Sequence, residues 1–241
     1  MRHRLRYVTL ACLLAGLGTG CKPGDQPPAA ATATPAPALA ASYAATHMKD
    51  YVSVPLTADL SAFDEQGRQM IALLVQASEL TNGLYWQQSW GDRAALLART
   101  TDPQTSALAE LNFGPWDRLN NDTPFVEGVG ARPPGAAFYP ADMTKAEFEA
   151  STLADKTSWY TLLRRDDSGK LITVPYHVAY RADLEKIAAL LRQAALLSED
   201  AALANYLRIR ADALLTDEFQ TSDMAWMDMK SNPVDIVIGP I

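Results

Sequence analysis

Cysteine is almost missing from this chain of 241 residues, and both examples, Cys12 and Cys21, lie near its start. The rest of the sequence therefore has no disulfide framework and no thiolate metal site. Histidine is nearly as scarce, with only His3, His47 and His177. A helix offering two metal-ligating histidines one turn apart, with a glutamate between them as base, is excluded. The G-x-S-x-G nucleophile elbow, the phosphate-binding P-loop and the dinucleotide glycine fingerprint are absent too. Positive charge is in deficit, with 21 Lys and Arg against 28 Asp and Glu and a net charge of −7. That balance argues against nucleic acid as a partner, because phosphate backbones need clustered Lys and Arg. No internal repeat of solenoid length is visible.

The one sustained apolar run is short. Arg2, Arg4 and Arg6 precede the apolar stretch from Tyr7 to Leu17, and Gly18, Thr19 and Gly20 lead to Cys21. This pattern predicts an export signal over 1–20, too short for a membrane-spanning helix. A cysteine directly after small residues resembles the bacterial lipobox, with Gly18 where leucine is usual, and predicts lipidation of Cys21. Residues 21–50 follow as an anchor cysteine and a tether, rich in Pro, Ala and Thr and poor in charge. Loss of the signal removes Arg2, Arg4 and Arg6 and no acid, so the net charge moves from −7 to −10.

Residues 51–241, in a chain that is 48% hydrophobic, supply the folded part. Tyr51 to Leu56 reads as an extended entry segment. Ser61 is the expected N-cap of a long helix reaching Trp90, with Met70, Leu73, Leu74, Ala77, Leu80 and Leu84 as its buried stripe. Ala94 to Arg99 and Gln104 to Phe113 read as shorter helices separated by Asp102 and Pro103. Thr144 to Ala150 is a short capped helix. Ser158 to Arg165 and Lys170 to Val174, joined by the turn Asp166 to Gly169, form a β-hairpin. Two amphipathic helices follow, one striped by Tyr180, Leu184, Ile187, Leu191 and Ala194, the other by Leu203, Tyr206, Leu207, Arg210 and Leu214, with Ser198 capping their junction. Met224, Trp226, Met227 and Met229 read as core, and Val234 to Ile238 as a buried strand. The fold class is α+β, mostly helical with a β-hairpin and a few short strands.

Gly114 to Met143, GPWDRLNNDTPFVEGVGARPPGAAFYPADM, is too rich in glycine and proline for a regular helix or strand. Trp116, Leu119, Phe125, Val126, Val129, Phe138 and Tyr139 give it apolar anchors that disordered segments lack. It reads as an ordered functional loop. Asp117, Asp122, Glu127 and Asp142 offer carboxylates for acid/base work if their environments split their pKa values. The structural reading is favoured: Asp117 pairs with Arg118 or caps a turn, Glu127 is solvated and Asp142 starts a helix. His177 reads as a helix-start residue satisfying local backbone groups. Trp86 and Trp90, one turn apart, read as packing residues.

GPWDRLNNDTPFVEGVG and FYPADMT (Phe138 to Thr144) resemble the amino-terminal half of the bacterial branch of the dipeptidyl peptidase III family of zinc metallopeptidases. YVSVPLTADLS (Tyr51 to Ser61), LLRRDDSGKLITVPYH (Leu162 to His177) and the stretch from Arg210 to Ile241 agree with it in order and spacing. The resemblance implies a two-lobed fold, a peptide substrate and zinc in the complete family enzyme. Trp116, Arg118, Asn120, Phe125, Glu127 and Tyr139 become candidates for one wall of a peptide cleft. The family's histidine pair and later glutamate have no counterpart here, so the expectation is an amino-terminal portion, truncated before the zinc lobe, that binds no metal and has no catalytic residues of its own. The missing zinc lobe is then a partner, alongside a membrane reached through the lipid anchor at the periplasmic face of the outer membrane. The alternative is a non-catalytic periplasmic lipoprotein that binds peptides or a protein partner. Metabolic labelling of the expressing bacterium with a fatty acid is expected to mark the protein, and Cys21→Ser to abolish the label; label surviving in the variant would overturn the anchor assignment.

Overall fold

The structure, a computed structural model, describes residues 42–240. The expected signal, Cys21 and most of the tether lie outside the described residues. In chain order the elements are α1 (Tyr43–His47), α2 (Glu65–Ser89), α3 (Arg93–Ala98), α4 (Pro103–Asn112), β1 (Trp116–Asp117), β2 (Thr123–Pro124), α5 (Lys145–Ala150), β3 (Thr161–Arg165), β4 (Leu171–Pro175), α6 (Tyr176–Ala179), α7 (Arg181–Leu197), α8 (Ala201–Leu214) and α9 (Gln220–Asp228). The class is α+β and mostly helical, as the periodicities imply. β1 and β2 pair antiparallel through Trp116 with Pro124 and Asp117 with Thr123. β3 and β4 pair antiparallel from Thr161 with Pro175 to Arg165 with Leu171.

Helix α7 packs on both α2 and α8. Its stripe Leu184, Ile187, Leu191 and Ala194 is buried, as are Met70, Leu74 and Ala77 of α2 and Leu203, Tyr206, Leu207 and Leu214 of α8. Apolar residues three and four apart share one helix face, so each helix has one side to bury and the three bury theirs together. A second, smaller cluster joins Trp86, Leu96, Ala109 and Val126, with Trp90, Phe113 and Phe125 packed against it.

Aspartates begin four of the nine α-helices among the described residues. Asp64 rather than Ser61 caps α2, accepting from the Gly67 amide at 2.8 Å. The chain still turns through Leu60 to Phe63, where the Phe63 amide donates to the Leu60 carbonyl, so Ser61 stands too early to reach the helix. Asp92 and Asp102 cap α3 and α4, with Pro103 at the first position of α4. Asp200 caps α8 through the amides of Ala202 and Leu203, while Ser198 ends α7 and donates its hydroxyl to the Asp200 carbonyl. The hairpin turn is drawn together by Asp166, which accepts from the amides of Ser168 and Lys170.

Three expectations change. Residues 42–50, read as tether, belong to the folded part: Ser42 caps α1 and donates to Asp102 at 2.9 Å, and Ala44 is fully buried. A five-residue helix is too short to show a period in sequence. Val234 to Ile238 forms no strand among the described residues. One side of it, Val234, Ile236 and Ile238, rests on the helical core while Asp235 and Val237 face outward. Met224, Trp226 and Met227 are exposed on α9 rather than buried, and of that cluster Met229 alone reaches the core.

Leu207 of α8 is wholly buried in the larger apolar cluster. Leu207→Ala is expected to cost about 2–5 kcal/mol in urea unfolding, whereas Leu196→Ala, on the exposed side of α7, should fall within about 0.5 kcal/mol of the parent. Burial also pushes the Tyr176 phenol up to about 12. A phenol that ionises near pH 10 in the unfolded chain and later in the fold contributes stability that is complete below about pH 10 and lost as pH rises through about 12. Melting curves taken from pH 9 upward should steepen their decline above about pH 10, and Tyr176→Phe should soften it; an unchanged alkaline profile in the variant would refute the assignment.

Candidate functional site

The loop from Gly114 hangs on Asp117, whose side chain is almost wholly buried. Its carboxylate accepts from the Tyr43 hydroxyl at 2.9 Å, the Tyr51 hydroxyl at 2.8 Å and the Leu119 amide at 3.0 Å. Three donors offset the cost of removing a carboxylate from water. Asn112 extends the network, its Oδ1, 3.1 Å from the Tyr51 hydroxyl, sharing that hydrogen with Asp117 and accepting from the Arg118 amide, while its amide donates to the Leu108 carbonyl. Burial raises the pKa of both phenols, and the bonds to Asp117 push in the same direction. Both tyrosines therefore stay protonated and donating at neutral pH. Asp117 caps a turn, as one of the structural readings has it, but Arg118 lies elsewhere, over the Tyr85 ring and bonded to its hydroxyl.

Further along, Trp116 donates its ring N–H to the Gly130 carbonyl at 2.9 Å, Arg132 pairs with Asp122 at 3.2 Å, and Arg99 donates to the Glu127 carbonyl at 3.0 Å. Arg164 of β3 donates to the Phe138 carbonyl at 3.1 Å. Its neighbour Arg165 clamps Asp142 at 2.9 Å and Glu147 at 2.8 Å. These bonds hold both carboxyls below their usual range and raise the guanidinium. Asp142 is thus occupied by Arg165, and Thr144 caps α5 instead.

Between the end of α2, this loop and the hairpin lies a groove of about 600 Å³, walled by Trp90, Trp116, Tyr139, Arg99, Arg164 and the stretch 128–131. Of the six cleft candidates, Trp116 and Tyr139 line it. Glu127 stands at its edge with an exposed side chain, its carbonyl holding Arg99. Arg118 sits on Tyr85, Asn120 donates to the Tyr43 hydroxyl at 2.7 Å, and Phe125 stacks on Tyr43 at 5.9 Å. Those three consolidate the loop and do not line the groove. Trp90, Arg99 and Arg164 are wall residues that the sequence reading did not single out for the groove. Trp90 carries the helical spacing of a core residue, and nothing in the spacing of two arginines 65 positions apart signals a common site.

A smaller cavity of about 280 Å³ opens between α2, Tyr176, Tyr180, Phe219 and Ile238. The buried Tyr180 hydroxyl has no partner among the described residues. His177 contacts Asp217 through its ring Nδ1 at 2.8 Å and donates its amide to the same carboxylate, so its partner lies 40 residues away rather than in the local backbone. Zinc, implied by the family resemblance, is not matched by these donors. The described histidines are His47, set against Asp50, and His177, set against Asp217. Among the described residues no group of three or more His, Cys, Asp or Glu is arranged to hold a metal ion.

No family model matches the chain. The chain is 25% identical over 255 aligned positions to Nudix hydrolase 3 of Arabidopsis thaliana, a match covering 80% of this chain and 33% of that protein. Two solved structures are similar to it. Dipeptidyl peptidase III from Caldithrix abyssi superposes with a TM-score of 0.68 at 34% identity, covering 73% of this chain and 35% of that one. Dipeptidyl-peptidase III from Corallococcus sp. strain EGB superposes with a TM-score of 0.72 at 32% identity, covering 78% and 37%. The chain thus spans about a third of the length of the proteins it matches. In fold and in sequence, over the length it shares with those two structures, the chain is dipeptidyl peptidase III-like.

Proposed function

We propose that this chain is the amino-terminal portion of an exported dipeptidyl peptidase III-like hydrolase, anchored through Cys21, that contributes one wall of the peptide cleft. The observation that carries the reading is the likeness to two dipeptidyl peptidase III structures at 32–34% identity over about three quarters of the chain. The wall is the groove beside the loop. Trp90, Trp116 and Tyr139 offer aromatic surface to side chains, and the backbone of 128–131 offers amides and carbonyls to a peptide main chain. The Asp117 network keeps this surface in shape before a ligand arrives, which lowers the ordering cost of binding. The metal and the general base of the complete enzyme come from polypeptide outside these 241 residues.

A second reading is a peptide-binding lipoprotein without catalysis, in which the same aromatic groove serves as a binding surface. Metal analysis and hydrolysis assays separate the readings. The purified chain is expected to bring down less than one zinc in ten molecules and to leave a dipeptide-coupled chromogenic amine uncleaved. Addition of polypeptide carrying a histidine-pair helix should restore chelator-sensitive cleavage. Stoichiometric zinc with hydrolysis by the chain alone would overturn the proposal, and failure of every such addition would favour the non-catalytic reading.

A further inference from the structure

We infer that the groove beside the loop recognises a carboxylate on its ligand through Arg99 and Arg164, and that this ligand is a peptide whose free carboxy end lies next to an apolar residue. The inference rests on the reading of the groove as a peptide wall, but it does not depend on catalysis.

The charge pattern carries it. Seven of the arginines in the described residues lie within ion-pair distance of a carboxylate. Arg99, Arg118, Arg164 and Arg208 have no such partner among the described residues. Arg118 is accounted for by the Tyr85 ring, and Arg208 faces solvent on α8. The remaining two line the same groove, in a protein whose net charge is −7. With acid in such excess, two uncompensated guanidiniums in one hollow stand out as a cationic feature.

Both are oriented without being neutralised. One nitrogen of Arg164, which is partly buried, donates to the Phe138 carbonyl at 3.1 Å and the Leu163 carbonyl at 2.7 Å. Arg99 donates to the Glu127 carbonyl at 3.0 Å. Neutral carbonyls fix the position of a guanidinium and leave its charge and its other N–H donors for a ligand. A planar fork of that kind matches a carboxylate in a bidentate arrangement. Arg165, in the same wall, is already spent on Asp142 and Glu147. Arg164 also borders an adjoining hollow of about 530 Å³ that shares Gln87 and Gly91 with the groove. Asp92 lies in that second hollow, its carboxylate holding the Ala95 amide. The aromatic wall of Trp90, Trp116 and Tyr139 decides for a peptide over a bare anion, because it offers apolar surface beside the charge.

The test titrates the full chain, by calorimetry, with an amino-acetylated tetrapeptide ending in phenylalanine, as the free acid and as the carboxamide, and with inorganic phosphate alone. The acid is expected to bind roughly tenfold or more tighter than the amide, the scale of a hydrogen bond to a charged group. Arg99→Gln and Arg164→Gln should each erase most of that difference while leaving amide binding in place, and Arg164→Lys should retain part of it. Arg99 is exposed, so its variant keeps the test informative should Arg164→Gln fail to fold. Equal binding of acid and amide would overturn the carboxylate assignment and leave the groove reading standing. Binding of neither peptide would overturn both. Phosphate bound as tightly as the peptide acid would reduce the groove to an inorganic-anion site and overturn the peptide assignment.

Discussion

Helix α2 is common to both apolar clusters, and the arrangement of the described residues depends on it. Its 25 residues extend for about 37 Å at the ordinary helical rise. The first half buries Met70, Leu74 and Ala77 against α7; the second half sends Trp86 into the smaller cluster with Leu96, Ala109 and Val126. One rigid rod therefore sets the loop and α3–α4 side in register with the hairpin and α7–α8 side. The groove lies where α2 ends, at Gln87 to Gly91. Gly91, at φ 123°, takes the chain away there in a conformation that other residues rarely adopt.

The Asp117 network does for the loop what α2 does for the helices. Tyr43 and Tyr51, brought from before α2, reach a carboxylate placed just after α4, so the segment ahead of α2 is fastened to the start of the loop. The buried charge carries its own specificity, since a shift of the loop would leave donors and acceptor unpaired together. Arg165 fastens the far end, joining the hairpin to Asp142 and to Glu147 of α5. Between these two points the backbone is held by the Trp116 ring N–H and by the guanidiniums of Arg99 and Arg164.

Helices and hairpin were legible because their signals are local. The stripe on α7, the paired Asp102 and Pro103 before α4, and the Asp166 to Gly169 turn each lie within a few residues of the structure they specify. Ser61 misled as a cap because a serine and a nearby aspartate offer the same chemistry, and the geometry of the preceding turn decides which one reaches the amides. Val234 to Ile238 has the composition of a strand, yet a strand needs a neighbour, and none stands beside it among the described residues. In the loop, aromatic and polar residues marked ordered structure, but composition could not separate Trp116 and Tyr139, which face the groove, from Arg118, Asn120 and Phe125, which hold the loop together.

The helical faces, the hairpin, the ordered character of the Gly114 to Met143 loop, the scarcity of metal donors and the resemblance to dipeptidyl peptidase III are all readable from the amino-acid sequence. Those properties follow from residue identity and short-range spacing. The packing of the chain makes Asp117 a buried acceptor for two tyrosines, sets His177 against Asp217, and turns Arg99 and Arg164 to one groove with no carboxylate partner among the described residues. Each of these joins residues between 40 and 74 positions apart. At that separation pairing is set by how α2, α7 and α8 pack, which no local pattern encodes.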